Sequence, residues 1–280
     1  MIHFLTFVFV FALANADSGN KLNRSFKSGF YKNMKMSVAG KHLEVLPGEI
    51  ENNTKWFLLI KTSPSVRPSK KLLEHQTSTY ALKKVTVSIK ETTDIKYDPG
   101  EEIHYSTYEV SAVEKKLRGF AGFLFQGSGF KDIPSIPALD LDSYPSFESP
   151  LNFLTFEEML KKPFEGSILF KNETYRLQFK PIGKTSDTGI RVWDNVEFII
   201  TADHVTQSIN LGSFNKDNCL GETPIIKWAG DFDGDQKLDL ILQIDSTKPI
   251  VFFLLSSAAK KGDHLKIIYR LDYPASDRPC

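Results

Sequence analysis

The sequence predicts a mainly β protein, an antiparallel sandwich or open barrel with one or two short helices. Composition is one reason, since the 280 residues include 22 Phe, and aromatic and β-branched residues favour strands. Alternation is another, because Val85, Val87 and Ile89 alternate with polar residues as in a half-buried strand. In addition, seven or eight short apolar runs separated by turns follow residue 163, which is typical of antiparallel sheets.

A first β-rich region is predicted over residues 17–126. Its strand-like runs are bounded by turn clusters that contain Pro, Gly and Asn. These runs are 34–46, 56–61, 85–89 and 103–110. An alternative for residues 109–118 is a short helix, because Val110, Val113 and Leu117 would share one helical face.

A change in composition places a boundary at residues 127–150. Four prolines and two glycines lie there in a polar context, which is typical of a connection between domains. The C-terminal β-rich domain is then predicted over residues 151–280. It is expected to open with a short helix, because Thr155 and Glu158 form a capping box and Pro163 would end the helix.

Nearly all of the remaining C-terminal sequence is expected to form strands. The strictest alternation is that of Tyr175, Leu177 and Phe179 with polar residues between them. The strand-like runs are 167–170, 175–179, 196–201, 204–211, 225–228, 238–244, 250–255 and 265–273.

Between two of these runs lies a loop with four carboxylates, all at odd-numbered positions. Asp231, Asp233 and Asp235 occupy positions 1, 3 and 5 of the loop, and Asp239 occupies position 9. A hard dication such as Ca²⁺ takes six to eight oxygen ligands, which such a spacing can aim inward together with the carbonyl of Lys237. The sequence therefore predicts a calcium loop. The alternative is a solvated acidic turn, which would repel itself without a cation.

The loop is not an EF-hand. That motif requires Gly at position 6, Glu at position 12 and flanking helices, whereas Gln236 and Leu242 stand at these positions. Its flanks, 225–228 and 238–244, are short and apolar, which favours two strands joined by the loop.

The segment Gly-Asp-Phe-Asp-Gly-Asp-x-x-Leu-Asp-Leu-Ile-Leu, from Gly230 to Leu242, resembles the calcium-binding segment of FG-GAP and VCBS repeats. The resemblance covers about residues 224–260, and such loops occur in integrin-type β-propeller blades and in many secreted bacterial proteins. It implies that the ligands are Asp231, Asp233, Asp235, the Lys237 carbonyl and Asp239. Gln236 departs from the repeats, which often carry Gly there, so a strained turn is expected. Because no second copy of the pattern is convincing, we expect one calcium staple in a β domain rather than a propeller.

The N-terminus predicts export. Residues 1–16 form an apolar run that ends in Ala14-Asn15-Ala16, as in a signal peptide with its cleavage site, although no Lys or Arg precedes the run. A membrane anchor is the alternative, but the run is shorter than the roughly 20 residues that a span needs. No later segment is long and apolar enough to span a membrane. The expected location is secreted or periplasmic.

Cys219 and Cys280 are the two cysteines of the chain. In an exported protein a disulfide between them is expected, and two reduced thiols are the alternative. The bridge would tie the C-terminus beside the acidic loop.

Charge and motifs exclude several classes of function. The net charge is +1, with 35 basic and 34 acidic residues, which gives no reason to expect binding to nucleic acid. Sequence motifs of hydrolases, zinc proteases and nucleotide-binding loops are missing, so no catalytic residue is assigned. We therefore expect an exported, calcium-stabilised binding or structural protein with an unknown protein or carbohydrate ligand. The alternative is an envelope-associated hydrolase in which the calcium loop is scaffold.

Overall fold

The computed structural model describes residues 30–43, 50–62, 77–98, 101–117, 122–139, 164–185, 191–212, 224–244 and 250–273. Within them the chain is mainly β, with one four-residue 3-10 helix, Phe30–Asn33. The strands are β1 (Lys35–Leu43), β2 (Lys55–Lys61), β3 (Thr77–Asp98), β4 (Glu101–Ala112), β5 (Gly122–Gln126), β6 (Ile133–Leu139), β7 (Phe164–Phe170), β8 (Glu173–Thr185), β9 (Arg191–Ala202), β10 (Val205–Asn210), β11 (Pro224–Gly230), β12 (Asp239–Ile244), β13 (Ile250–Leu255) and β14 (Lys266–Asp272). They pair antiparallel, so the predicted fold class is confirmed.

Five strands close into a ring. Strand β3 pairs with β2, β2 with β5, β5 with β1 and β1 with β4, and β4 returns to the C-terminal part of β3. The 22-residue length of β3 allows this, because its two halves pair with different partners. Side chains from all five strands, among them Trp56, Leu58 and Val87, form one apolar group, the ring cluster.

The sheet continues beyond this ring. From β3 it runs in the order β6, β11, β12, β13 and β14, which makes ten strands in all. Strand β14 comes within 8 Å of β1 between Cα atoms, so the sheet is a nearly closed barrel. Its interior is filled by the barrel cluster, which includes Met36, Phe125 and Phe253.

A second sheet of four strands, in the order β10, β9, β8 and β7, covers one outer face of the barrel. Leu177 and Phe198 of this sheet share a sandwich cluster with Leu242 and Phe252 of the barrel. Strands β7 and β8 are joined by a two-residue turn, Lys171-Asn172, whose φ angles are 46° and 70°. Positive φ at both residues gives the turn twist that matches the strands of a hairpin.

Strand β13 is buried on both faces. Val251 and Phe253 point into the barrel cluster, whereas Phe252 and Leu254 belong to the sandwich cluster. Its continuous apolar run, without polar alternation, follows from this double burial. The C-terminal strands therefore connect two cores.

The barrel has a narrow seam where β6 meets β11. The ladder there has one residue pair, Gly230 with Ala138, and the Asp231 N–H donates to the Pro137 carbonyl at 3.1 Å. A Cβ atom on Gly230 would lie 2.6 Å from the Pro137 oxygen and 2.8 Å from the Ala138 Cβ. Glycine is therefore needed for the two strands to approach.

Part of the predicted connection at residues 127–150 is strand: Ile133–Leu139 forms β6. The sequence did not predict this strand because it contains Pro134 and Pro137, and proline, which has no N–H to donate to a ladder, is rare in central strands. Strand β6 pairs along its length with β3 but at one position with β11. Few backbone N–H donors are therefore needed on the edge of β6 that faces β11. The ten-stranded sheet thus contains strands from both predicted halves.

The helix considered for residues 109–118 does not form over 109–117, the part of it that the structure describes. Strand β4 continues to Ala112 and a turn follows over residues 115–117. Val110 is buried in the ring cluster, while Val113 is exposed, so pairing with β1 and β3 overrides the helical spacing. The capping box at 155–158 lies outside the described residues.

Two other predictions also lie outside the described residues, namely the signal peptide at 1–16 and the Cys219–Cys280 disulfide. Both remain predictions. Among the helices of the described ranges, none has the length and apolar character needed to cross a membrane.

Candidate metal centre

The acidic loop, residues 231–239, connects β11 to β12 beside the seam. Gly234 and Gln236 have φ angles of 86° and 72°, so the chain turns twice through the left-handed region within a few residues. Gln236 is the position where a strained turn was expected, and its φ lies in a region that side chains with a Cβ disfavour. The tight turn brings the two ends of the loop together.

Three of the predicted ligands converge. Asp231, Asp233 and Asp239 each present a carboxylate oxygen, and these oxygens lie within 4.8 Å of one another. All three residues are buried, with exposed fractions of 2%, 6% and 0%. Buried carboxylates at this spacing form an oxygen-rich site of the kind that hard dications occupy.

Asp239 is held by neutral donors. One of its oxygens accepts from the Phe232 N–H at 2.8 Å, and the other accepts from the N–H and hydroxyl of Ser256 at 2.9 and 2.8 Å. Burial raises the pKa of the Asp239 carboxyl well above its usual range, and the charge of Asp233 raises it further, whereas the Ser256 bonds lower it. The charged form is thus unfavourable unless a cation approaches.

Asp233 has a similar environment. Burial raises the pKa of its carboxyl, a hydrogen bond from the Ser257 hydroxyl lowers it, and the charge of Asp235 raises it. Asp235 is less enclosed and accepts from the Lys237 N–H at 2.8 Å. It also lies 2.9 Å from the Ser256 hydroxyl, whose single proton it shares with Asp239. Its carboxylate does not belong to the convergent triad.

The second sheet contributes two side chains to the loop. Lys171, in the β7–β8 turn, places its Nζ 2.6 Å from Oδ2 of Asp231 and above the ring of Phe170. Tyr175 of β8 reaches the backbone N–H of Leu238, and burial, followed by its bond to Glu173, raises the pKa of the phenol. Side chains from the second sheet and its β7–β8 turn therefore contact a loop that belongs to the barrel.

Phe232 anchors the loop in the barrel cluster. Its side chain is 1% exposed and its ring centroid lies 4.9 Å from that of Phe253, 5.1 Å from that of Phe125 and 5.9 Å from that of Trp228. Because Phe232 stands between Asp231 and Asp233, core packing fixes the backbone that carries two of the three convergent carboxylates.

Sequence reasoning identified the acids but missed their supports. Lys171, Ser256 and Ser257 contact the carboxylates, yet none of them is marked by a local pattern. Of the predicted site residues, Lys237 has an exposed side chain.

The donor set fits a hard cation. Three carboxylates converge, those of Asp231, Asp233 and Asp239, and the Asp235 carboxylate lies beside them through the Ser256 hydroxyl. Among the described residues, Lys171 places an ammonium group and Ser257 a hydroxyl group in contact with these carboxylates. The surroundings contain no sulfur or imidazole ligand among the described residues of the loop, which favours Ca²⁺ or Mg²⁺ over softer metals.

Comparisons with protein-family models, curated proteins and solved structures found no match to this chain.

Proposed function

We propose that this chain is an exported, calcium-stabilised β protein with a binding or structural role. The observation that carries the proposal is the convergence of Asp231, Asp233 and Asp239, three buried carboxylates for which Lys171 is the ion-pair partner found among the described residues. Calcium would supply further positive charge. The Asp235 carboxylate and the Lys237 carbonyl would complete the shell, as the FG-GAP and VCBS resemblance implies.

The position of the loop supports a role in stability. The backbone of Asp231 closes the seam, Phe232 fills the barrel cluster and Lys171 links the loop to the second sheet. A cation that orders this loop would strengthen all three connections at once. Since an empty loop carries buried, mutually repelling charges, the folded state gains free energy on binding.

Export is consistent with such a site. Extracellular calcium modules bind at about 10⁻⁴–10⁻³ M, concentrations that are reached outside cells. The N-terminal signal-like run remains the reason to propose secretion or a periplasmic location. A protein or carbohydrate ligand is part of the proposal, and no described feature favours the hydrolase alternative over it.

The test is thermal unfolding of the purified chain in excess calcium and in chelator. At ten to one hundred times the dissociation constant, binding stabilises by about 1.4–2.7 kcal/mol. For a chain of this size we expect the midpoint to rise by about 3–11 °C. Asp233→Asn, which removes one charge from the triad, should abolish most of the rise.

Asp263→Asn is the matched control, because Asp263 is exposed and lies in the β13–β14 loop outside the triad. It should respond to calcium as the wild type does. Equal midpoints for the wild type in calcium and in chelator would refute the calcium proposal.

A further inference from the structure

The ion pair between Lys171 and Asp231 gives the acidic loop a cation of its own. The Nζ atom lies 2.6 Å from Oδ2 of a carboxylate that is 2% exposed, while the lysine side chain is 36% exposed. We propose that Lys171 is the residue that sets the affinity of this site for calcium, acting as an internal cation that competes with the metal for Asp231. This inference rests on the proposed calcium function.

Turn geometry directs Lys171 to the loop. The residue is the first of the two in the β7–β8 turn, and its φ of 46° is imposed by the tight hairpin. Its ammonium group also lies 5.5 Å from the ring centroid of Phe170, a cation–π contact that favours the same placement. The chain therefore holds a positive charge at the site without help from solution ions.

The charge acts in opposite directions in the two states of the loop. Without metal it offsets part of the repulsion among Asp231, Asp233 and Asp239, which stabilises the folded protein. With metal on the same carboxylates, two cations share Asp231 and repel each other. Lys171 should thus stabilise the metal-free protein and weaken calcium binding.

Removing the charge but keeping an apolar stem tests this directly. Lys171→Met should bind calcium about tenfold more tightly in calorimetric titration of chelator-stripped protein, since a neighbouring unit charge contributes roughly that factor. The same variant should unfold at a lower temperature than the wild type in chelator. Tighter calcium binding together with a lower unfolding temperature in chelator would indicate competition, because a merely structural role would weaken both.

Two variants control for charge and packing. Lys227→Met makes the same change in net charge at an exposed residue of β11, four residues before Asp231, and should leave affinity unchanged. Lys171→Arg retains the positive charge and should restore nearly wild-type affinity. High salt should shrink the difference between the wild type and Lys171→Met, because the effect is electrostatic.

The outcomes distinguish this inference from the function on which it rests. If the wild type binds no calcium, the proposed function fails and this inference with it. If the wild type binds calcium but Lys171→Met binds with equal or lower affinity, only the role of Lys171 is refuted. An equal gain in affinity for Lys227→Met would also refute it.

Discussion

Replacement of Phe232 by Leu should weaken both the fold and the proposed calcium site. Leucine has three fewer side-chain carbon atoms, and at about 0.8 kcal/mol for each buried carbon the loss is about 2–3 kcal/mol. The ring pairs with Phe125, Trp228 and Phe253 are lost as well. The unfolding midpoint in chelator should fall by about 4–12 °C.

The same change should also lower the affinity of the proposed site for calcium. The Phe232 N–H fixes Asp239, and the residues on either side of Phe232 are Asp231 and Asp233. If about half of the lost packing free energy had restrained the loop, calcium affinity should fall roughly tenfold, since 1.4 kcal/mol corresponds to a factor of ten. Calorimetric titration with calcium measures this loss.

Phe179→Leu is the matched control. Phe179 is 3% exposed and lies in the sandwich cluster against Phe198, with ring centroids 5.0 Å apart. Its replacement should cost a similar stability but leave calcium affinity unchanged. If Phe232→Leu loses stability and still binds calcium as the wild type does, the idea that core packing positions the ligands is refuted.

Two further predictions concern the loop. Because the folded-state pKa of Asp233 is raised, its contribution to stability in chelator is fully present below about pH 4 and is lost as the pH rises through the raised value. In chelator, the wild type should therefore lose stability relative to Asp233→Asn as the pH rises, whereas in calcium the wild type should be the more stable of the two. Denaturant titrations at several pH values measure the difference, and a difference that does not depend on pH would contradict the prediction. Gln236→Gly should stabilise the protein by about 0.5–1 kcal/mol, because Gln236 is exposed and its φ of 72° suits glycine. Asn172→Gly is the control and should gain less stability, because Asn tolerates its φ of 70°. An unchanged or lower denaturation midpoint for Gln236→Gly would contradict the expected strain at Gln236.

Local patterns predicted much of the strand content. Tyr175, Leu177 and Phe179 are buried on one face of β8, as their alternation with polar residues requires. The acidic loop lies between two paired strands, β11 and β12, as its apolar flanks indicated. These features depend on neighbours in sequence, which is why they could be read directly.

Long-range pairing was not visible in the same way. Strand β6 contains two prolines and was assigned to a connection, because the sequence does not show that its β11 side pairs at one residue. Lys171 and Ser256 reach the acids from 60 and 17 residues away, respectively. No periodicity marks a residue whose partner is set by the packing of two sheets.

The double burial of β13 has a consequence for the unfolded chain. Ile250–Leu255 is six consecutive apolar residues without a charge or proline, a composition that favours intermolecular β aggregation when exposed. In the native protein β12 and β14 occupy both of its edges, and the two clusters cover both of its faces. A cation that shifts the equilibrium toward the folded state would then also keep this segment out of aggregates. The yield of soluble protein on refolding should therefore depend on the acidic loop, which leads into β12, the strand paired with β13.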